Sequence, residues 1–247
     1  MPIPLWGRRR VVAMSAAVAA VAAGPAAARS VRDALPWAPN EAYPPPRVMP
    51  GTWQFFTSEE AAAVSAMADR LIPADALSPS GGQAGCAVFL DAQLAGVHGS
   101  AAWLYMRGPF AAGTPQQGMQ DEHPPSVQYR AGLAAIAAHC RAHFGGRPFP
   151  VLSAAEQDAM LTAMEAGRAG IADLAEKPFF EILLASVMEG FFADPTYGGN
   201  RDMAGWKLLG FPGARYDFRE VLERPGQPYP DPPMSLRGRP AWDRSPA

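Results

Sequence analysis

The chain has few of the residues that usually hold metals and cofactors. It contains two cysteines and four histidines among 247 residues. Two cysteines cannot by themselves hold an iron–sulfur cluster, and the C-x-x-C-H pattern of attached haem is absent. A P-loop, a G-x-G-x-x-G turn, and the G-x-S-x-G and H-E-x-x-H motifs are also lacking. We therefore expect no catalytic, metal or cofactor site on this chain.

Long apolar runs and strong charge are also lacking. No segment reaches the roughly 20 apolar residues that cross a bilayer as a helix. The net charge is −2, and Lys177 and Lys207 are the two lysines. Nucleic-acid binding requires a basic patch, so this charge balance argues against nucleic acid as a partner. Apolar residues make up 49% of the chain, which is enough for a substantial core.

The first residues, 1–28, have the pattern of an export signal. Three arginines, of which Arg8 and Arg9 form the tandem pair, precede an alanine-rich apolar stretch, and Ala26 and Ala28 supply the small residues of a cleavage site. Tandem arginines favour the twin-arginine pathway over a generic secretory signal, which is the alternative. We therefore predict a twin-arginine signal peptide and a periplasmic mature chain. Because that pathway exports folded proteins, a chain without a cofactor motif is expected to travel with a partner.

Proline-rich segments flank the remainder of the chain. Each proline lacks an N–H and restricts its predecessor to extended geometry. We therefore predict an extended arm over 29–54 and an extended tail over 225–247. These segments are either disordered or lie on a partner, in which case aromatic residues would anchor them. The aromatic candidates are Trp37, Tyr43, Tyr229 and Trp242.

Between these segments the pattern is helical. Thr57 and Ser153 are each followed three residues later by glutamate, which is the capping-box signature of a helix start. Apolar residues then recur at helical spacing, and no alternating run is long enough for a sheet. The sequence predicts an all-α fold, a single irregular helical domain over 55–224. The predicted helices follow Thr57 and Ser153 and cover about 84–94, 126–144 and 179–192.

The last of these helices is the most apolar segment of the chain. It is apolar on nearly all sides, which predicts a central, buried helix. Pro178 is suited to the first helical position, where its missing N–H is not needed, so we expect the helix to begin there.

One pair of histidines has the spacing of metal ligands. His139 and His143 stand one turn apart and could bind one metal ion, but no third ligand is evident, so histidines at the edge of the core are favoured.

The two cysteines, Cys86 and Cys140, would both lie in an oxidising compartment. They form either a disulfide or two buried thiols, and the sequence leaves both interpretations open.

Three segments of the chain resemble the gluconate 2-dehydrogenase subunit 3 family. They are Leu-Ile-Pro-Ala-Asp at 71–75 with Gly85 to Asp91, Tyr-Arg-Ala-Gly-Leu at 129–133, and the stretch from Phe191 to Gly213. The resemblance spans about 55–216. It implies a small subunit without a redox group, whose partner is an FAD-binding flavoprotein of the glucose-methanol-choline type.

The resemblance further implies a sugar or polyol dehydrogenase complex, with a multi-haem cytochrome c as a third subunit. The small subunit would stabilise the flavoprotein and carry it through export, so its membrane association would be indirect. It would have no catalytic, cofactor-binding or metal-binding residues. Six residues after the apolar helix are candidates for partner contact or loop support: Asp194, Tyr197, Gly198, Gly199, Asn200 and Trp206.

Two other functions remain open at this stage. The first is a stand-alone secreted metalloenzyme or hydrolase that uses His139 and His143, which would need further groups from distant parts of the sequence. The second is a secreted binding module for another oxidoreductase.

Overall fold

The structure is a computed structural model, and it describes the chain from residue 48 to residue 236 with several gaps. The described residues are 48–49, 51–102, 104, 108–111, 113–117, 121–215 and 218–236. All of them belong to one unit, Asn40–Ala247. The predicted signal residues Arg8, Arg9, Ala26 and Ala28 lie outside this part, as do Trp37, Tyr43 and Trp242.

Six α-helices form the framework of this part. They are α1 (Ser58–Leu71), α2 (Cys86–Ala95), α3 (Pro125–His143), α4 (Ala154–Glu165), α5 (Glu176–Phe192) and α6 (Ala204–Leu209). Among the described residues, the only β-pairing is an isolated bridge between Gly213 and Met234, so the predicted all-α fold is confirmed. No helix in this part is long and apolar enough to cross a membrane.

Capping boxes begin α1 and α4, as predicted. The Thr57 hydroxyl accepts the Glu60 N–H, and the Glu60 carboxylate accepts the Thr57 N–H at 2.8 Å. Ser153 and Glu156 form the same pair at the start of α4. Each box satisfies two N–H groups that a helix start otherwise leaves without partners.

The central helix α5 contacts each of the other five helices, which confirms its predicted central position. Its start was predicted two residues too late, because the helix begins at Glu176 instead of Pro178. The Glu176 carboxylate accepts the N–H groups of Ala169 and Ile171 at 2.7 Å, which fixes the preceding turn and the first helical residue. Pro178 is tolerated in the first turn because its N–H would have no helical partner there.

The entry of the chain into the domain is held by one carboxylate on α2. Asp91 accepts the N–H groups of Gln54, Phe55 and Phe56, each at 2.9 Å. Arg130 on α3 supports the same segment, since it donates to the Phe55 carbonyl at 2.7 Å and stacks over the Phe55 ring at 4.3 Å. The last residue of the predicted arm, Gln54, and the first two residues of the domain are therefore bound to α2.

The segment 129–133, which carries part of the family resemblance, has a packing role. Tyr129 is buried, with its ring centroid 5.7 Å from that of Phe179 on α5. A Cβ atom at Gly132 would lie 2.3 Å from the same Phe179 ring. The absence of a side chain at Gly132 therefore lets α3 and α5 pack at this distance.

The cysteines do not form the disulfide that the sequence left open. Both Cys86 and Cys140 are free and buried. The Cys86 thiol donates to the Val187 carbonyl on α5, and the Cys140 thiol lies 4.0 Å from the sulfur of Met160 on α4. The two sulfur atoms thus have separate surroundings. Burial raises the pKa of the Cys86 thiol to about 12, which keeps it protonated and unreactive.

The Asp91 carboxylate yields a prediction about stability. Asp91→Asn replaces one acceptor oxygen by an NH₂ group that faces a backbone N–H. We expect the free energy of unfolding to fall by about 2–4 kcal/mol, measured by urea denaturation. The matched control is Asp173→Asn at an exposed position, which should change it by less than about 0.5 kcal/mol. Equal stability of the two variants would contradict the proposed role of Asp91.

Candidate functional site

The candidate site begins where α5 ends. Asp194 follows the helix and opens a short 3₁₀ turn, Pro195–Tyr197, by accepting the Thr196 N–H at 2.9 Å. Proline at the first position of that turn has no N–H to satisfy. The end of α5 at Phe192 agrees with the predicted helix over about 179–192.

Asp194 also fastens the C-terminal segment. Its carboxylate accepts the Ser235 hydroxyl at 2.6 Å and the Leu236 N–H at 2.7 Å. Next to it, Met234 donates to the Pro212 carbonyl at 3.1 Å. Asp194 is 8% exposed, so its role is internal support of the loop.

These contacts attach the end of the described part of the tail, 225–236, to the chain's own loop. Tyr229, a predicted partner anchor, packs against Phe218 at 6.2 Å and lies under the guanidinium of Arg215 at 5.3 Å. The sequence shows that prolines prevent regular structure, but it does not show which surface an extended segment follows.

Asn200 is the central support of the loop. It is 0% exposed and adopts a left-handed conformation, with φ of 44°. Its side chain donates to the Ala193 carbonyl and accepts the Gly205 N–H, both at 2.8 Å, while its own N–H donates to the Gly190 carbonyl at 2.8 Å. One residue therefore joins the end of α5 to the start of α6.

The two glycines before Asn200 permit a close approach of backbones. A Cβ atom at Gly199 would lie 2.0 Å from the Gly190 carbonyl oxygen, a distance that no side chain can occupy. Gly198 has φ of +101° and faces Val88 on α2. Both residues are buried, so their role in this chain is to shape the loop.

Trp206 holds α6 against α5. It is 6% exposed, its indole N–H donates to the Phe192 carbonyl at 2.7 Å, and its ring meets the Phe211 ring edge-on at 5.2 Å. The carbonyl of Phe192 is one of the last four in α5, and these lack partners within the helix. Trp206 therefore both caps α5 and positions the turn that follows α6.

Tyr197 differs from the other five candidates because it is half exposed, at 50%. It borders an open groove of about 590 Å³ between α2 and the end of α5. The lining residues are Phe89, Gln93, Glu189, Phe192, Ala193, Asp194 and Tyr197. We call this the α2–α5 groove.

The outer face of α5 leads directly into this groove. Ala185, Met188 and Glu189 are exposed, and Met188 is exposed to 42%. Glu189 and Phe192 belong to the same face and also line the groove, because residues three and four apart share one side of a helix. The prediction that α5 is buried therefore holds for its inner face, whereas its outer face exposes Met188 and Ala185 among the charged residues Lys177, Glu181 and Glu189.

A second exposed apolar group follows α6. Leu208, Leu209 and Phe211 are exposed to 41%, 65% and 47%. Gly210 between them has φ of +67°, which turns the chain at the end of the helix. The sequence shows these residues as two short apolar pieces closed by glycines, but it does not show that they face outward.

The described residues place no third metal ligand beside the two histidines. The rings of His139 and His143 lie 4.3 Å apart, in a shallow pocket of about 470 Å³ lined mainly by alanines. Burial, together with the neighbouring His143, lowers the pKa of His139. No group of three or more His, Cys, Asp or Glu side chains that could hold a metal occurs in the described part. Burial also raises the pKa of Cys140, which makes that thiol a poor nucleophile.

Sequence reasoning missed the groove, and the reason is physical. Gln93 and Glu189 belong to no motif, and their proximity depends on the packing of α2 against α5. The sequence did contain one signal. The segment that forms α5 is more apolar than a helix with one solvent-exposed face usually is. Such a helix is either fully buried or covered by something outside the chain.

Comparison with known families adds one finding. The model of the family described as gluconate 2-dehydrogenase subunit 3 matches residues 58–213, which is more than half of the chain. The match contains all six helices, the loop after α5 and every residue of the groove. No curated protein and no solved structure matches the chain significantly.

The roles assigned to Asn200 and Tyr197 can be separated by substitution. Asn200→Ala leaves the Ala193 carbonyl and the Gly205 N–H without partners in a buried site. We expect the free energy of unfolding to fall by about 3 kcal/mol, whereas Tyr197→Ala should change it by less than about 0.5 kcal/mol. Thermal or urea unfolding of the two variants checks this. A loss for Tyr197→Ala as large as that for Asn200→Ala would show that Tyr197 also supports the loop.

Proposed function

The chain belongs to the gluconate 2-dehydrogenase subunit 3 family, and we propose on that basis that it is the non-catalytic small subunit of an exported FAD-dependent sugar or polyol dehydrogenase complex. In this proposal the catalytic subunit is a separate flavoprotein of the glucose-methanol-choline type. FAD is bound by that subunit, and haem c is bound by a third, cytochrome subunit where one is present. The small subunit stabilises the flavoprotein.

The observation that supports this role most directly is the exposed apolar surface of α5 and α6. A folded chain gains stability by burying residues such as Met188 and Leu209, yet both remain exposed. Exposed apolar groups on a rigid surface are typical of protein interfaces. The rigidity comes from Asn200 and Trp206, which hold the neighbouring loop from inside.

The export part of the proposal depends on the first residues of the sequence. Tandem arginines at 8 and 9 direct a folded chain to the twin-arginine pathway. We propose that the flavoprotein, already loaded with FAD, binds the small subunit in the cytoplasm and is exported with it. The complex then works in the periplasm.

One other candidate function fits the same surface. The chain could bind a different oxidoreductase, because an apolar interface does not by itself identify its partner. The identity of the co-purifying chain separates the two candidates. A stand-alone metalloenzyme would require a third ligand beside His139 and His143, and the described residues do not provide one.

Co-purification tests the subunit proposal. We expect a C-terminally tagged chain, isolated from periplasm or membranes, to bring down a flavoprotein in equal amount. The eluate should show the absorption spectrum of an oxidised flavin and should reduce an artificial electron acceptor with a sugar or polyol. A colourless eluate that contains only this chain would contradict the proposal, and an unrelated oxidoreductase would favour the other candidate.

Conservative substitution tests the export route. The double variant Arg8→Lys/Arg9→Lys keeps the positive charge but removes the tandem arginines. We expect both subunits to remain in the cytoplasm, with the signal uncleaved, as measured by cell fractionation and immunoblotting. Arg10→Lys is the matched control and should leave export unchanged. Normal export of the double variant would indicate a generic secretory signal.

A further inference from the structure

We propose that the α2–α5 groove binds a segment of the catalytic subunit in which an apolar side chain stands next to a lysine or arginine. This inference rests on the proposed function, since it assigns the partner's docking segment. It extends that function by naming the residues that receive the segment and the chemistry that they select.

The floor of the groove selects the apolar side chain. Phe89 on α2, Phe192 on α5 and Ala193 after it line the groove with apolar atoms. The volume of about 590 Å³ falls within the range of sites that hold small ligands or a few side chains. An aromatic-lined concavity of this kind is a typical receptor for one buried anchor residue.

The rim of the groove favours a lysine or arginine in the partner's segment. Two carboxylates line it, but that of Asp194 already accepts three hydrogen bonds, from Thr196, Ser235 and Leu236. The Glu189 carboxylate makes no hydrogen bond or ion pair with any described residue. Within the described part of the chain, the rim therefore carries a negative charge without an ionic partner beside an apolar floor. A lysine or arginine of the partner would pair with Glu189 after the anchor residue enters.

Two further polar groups are available on the same rim. The Gln93 amide and the Tyr197 hydroxyl make no side-chain hydrogen bond with the described residues, and both border the groove. They can receive the backbone N–H and C=O groups of an extended segment. Tyrosine is also well suited to an interface, because it offers a large contact area with little conformational freedom to lose.

The groove is formed before binding, which lowers the cost of association. A Cβ atom at Gly190 would lie 3.1 Å from the Phe89 ring, so α2 and α5 are in close contact beneath the floor. Asn200 bonds to the Gly190 carbonyl and fixes the turn that carries Tyr197. A preformed receptor loses little conformational entropy when it binds.

Site-specific photocrosslinking in the intact complex tests the position of the docking segment. Tyr197 is replaced by the photoreactive amino acid p-benzoylphenylalanine, the purified complex is irradiated, and the product is mapped by mass spectrometry. We expect a crosslink to the catalytic subunit, within a few residues of a lysine or arginine. The control carries the same probe at Val151, which is 60% exposed and does not line the groove.

The outcomes separate this proposal from the proposed function. If the complex forms but the probe at 197 reacts with nothing, or with a second copy of this chain, the groove proposal is overturned and the subunit proposal stands. If no flavoprotein is present in the complex, both proposals fail.

Charge reversal tests the selectivity of the rim. We expect Glu189→Arg to weaken binding of the catalytic subunit by about tenfold or more, and Glu189→Gln to weaken it less and to reduce its salt dependence. The matched control is Glu165→Arg, at an exposed position on α4, which should change affinity by less than about twofold. Equal melting temperatures of the free chains would show that folding is unaffected. Unchanged affinity of Glu189→Arg would overturn the proposal.

Discussion

At Gly190, the backbone of α5 contacts α2, Gly199 and Asn200 at the same time. The rest of the site depends on these contacts. A Cβ atom at Gly190 would lie 3.1 Å from Phe89 and 3.3 Å from Cys86, so a larger residue here would displace α2. The Gly190 carbonyl accepts the Asn200 N–H and leaves no room for a Cβ atom at Gly199. The depth of the groove, the path of the loop and the position of Tyr197 all follow from this approach.

The loop after α5 divides its residues between two tasks. Asp194, Asn200 and Trp206 turn their polar atoms inward, where they bond to backbone groups at the ends of α5 and α6 and to the C-terminal segment. Tyr197 and Leu209 remain exposed on the same framework. Residues that support a surface and residues that form it therefore alternate along the chain, which explains why the sequence alone could not separate them.

The features that sequence predicted well are those decided by neighbours along the chain. Both capping boxes are present because Thr57 and Ser153 each meet a glutamate three residues later. Features decided by distant residues were not predictable. Asp91 binds a segment 35 to 37 residues away, and no local pattern marks such a carboxylate. The early start of α5 has a nearer cause, because Glu176 accepts N–H groups from the loop residues five and seven positions before it.

The composition of α5 is best understood as a compromise between folding and assembly. Its inner face has to fill the core among five other helices, so it is apolar. A helix designed only for an isolated chain would have a charged outer face, since exposed apolar residues such as Met188 add nothing to its stability. Exposed apolar residues on this face, which lie beside the charged Lys177 and Glu181, are useful when a partner covers them. Glu189, which has no ion pair among the described residues, would then favour a partner segment with a positive group, because an unpaired carboxylate is costly to bury.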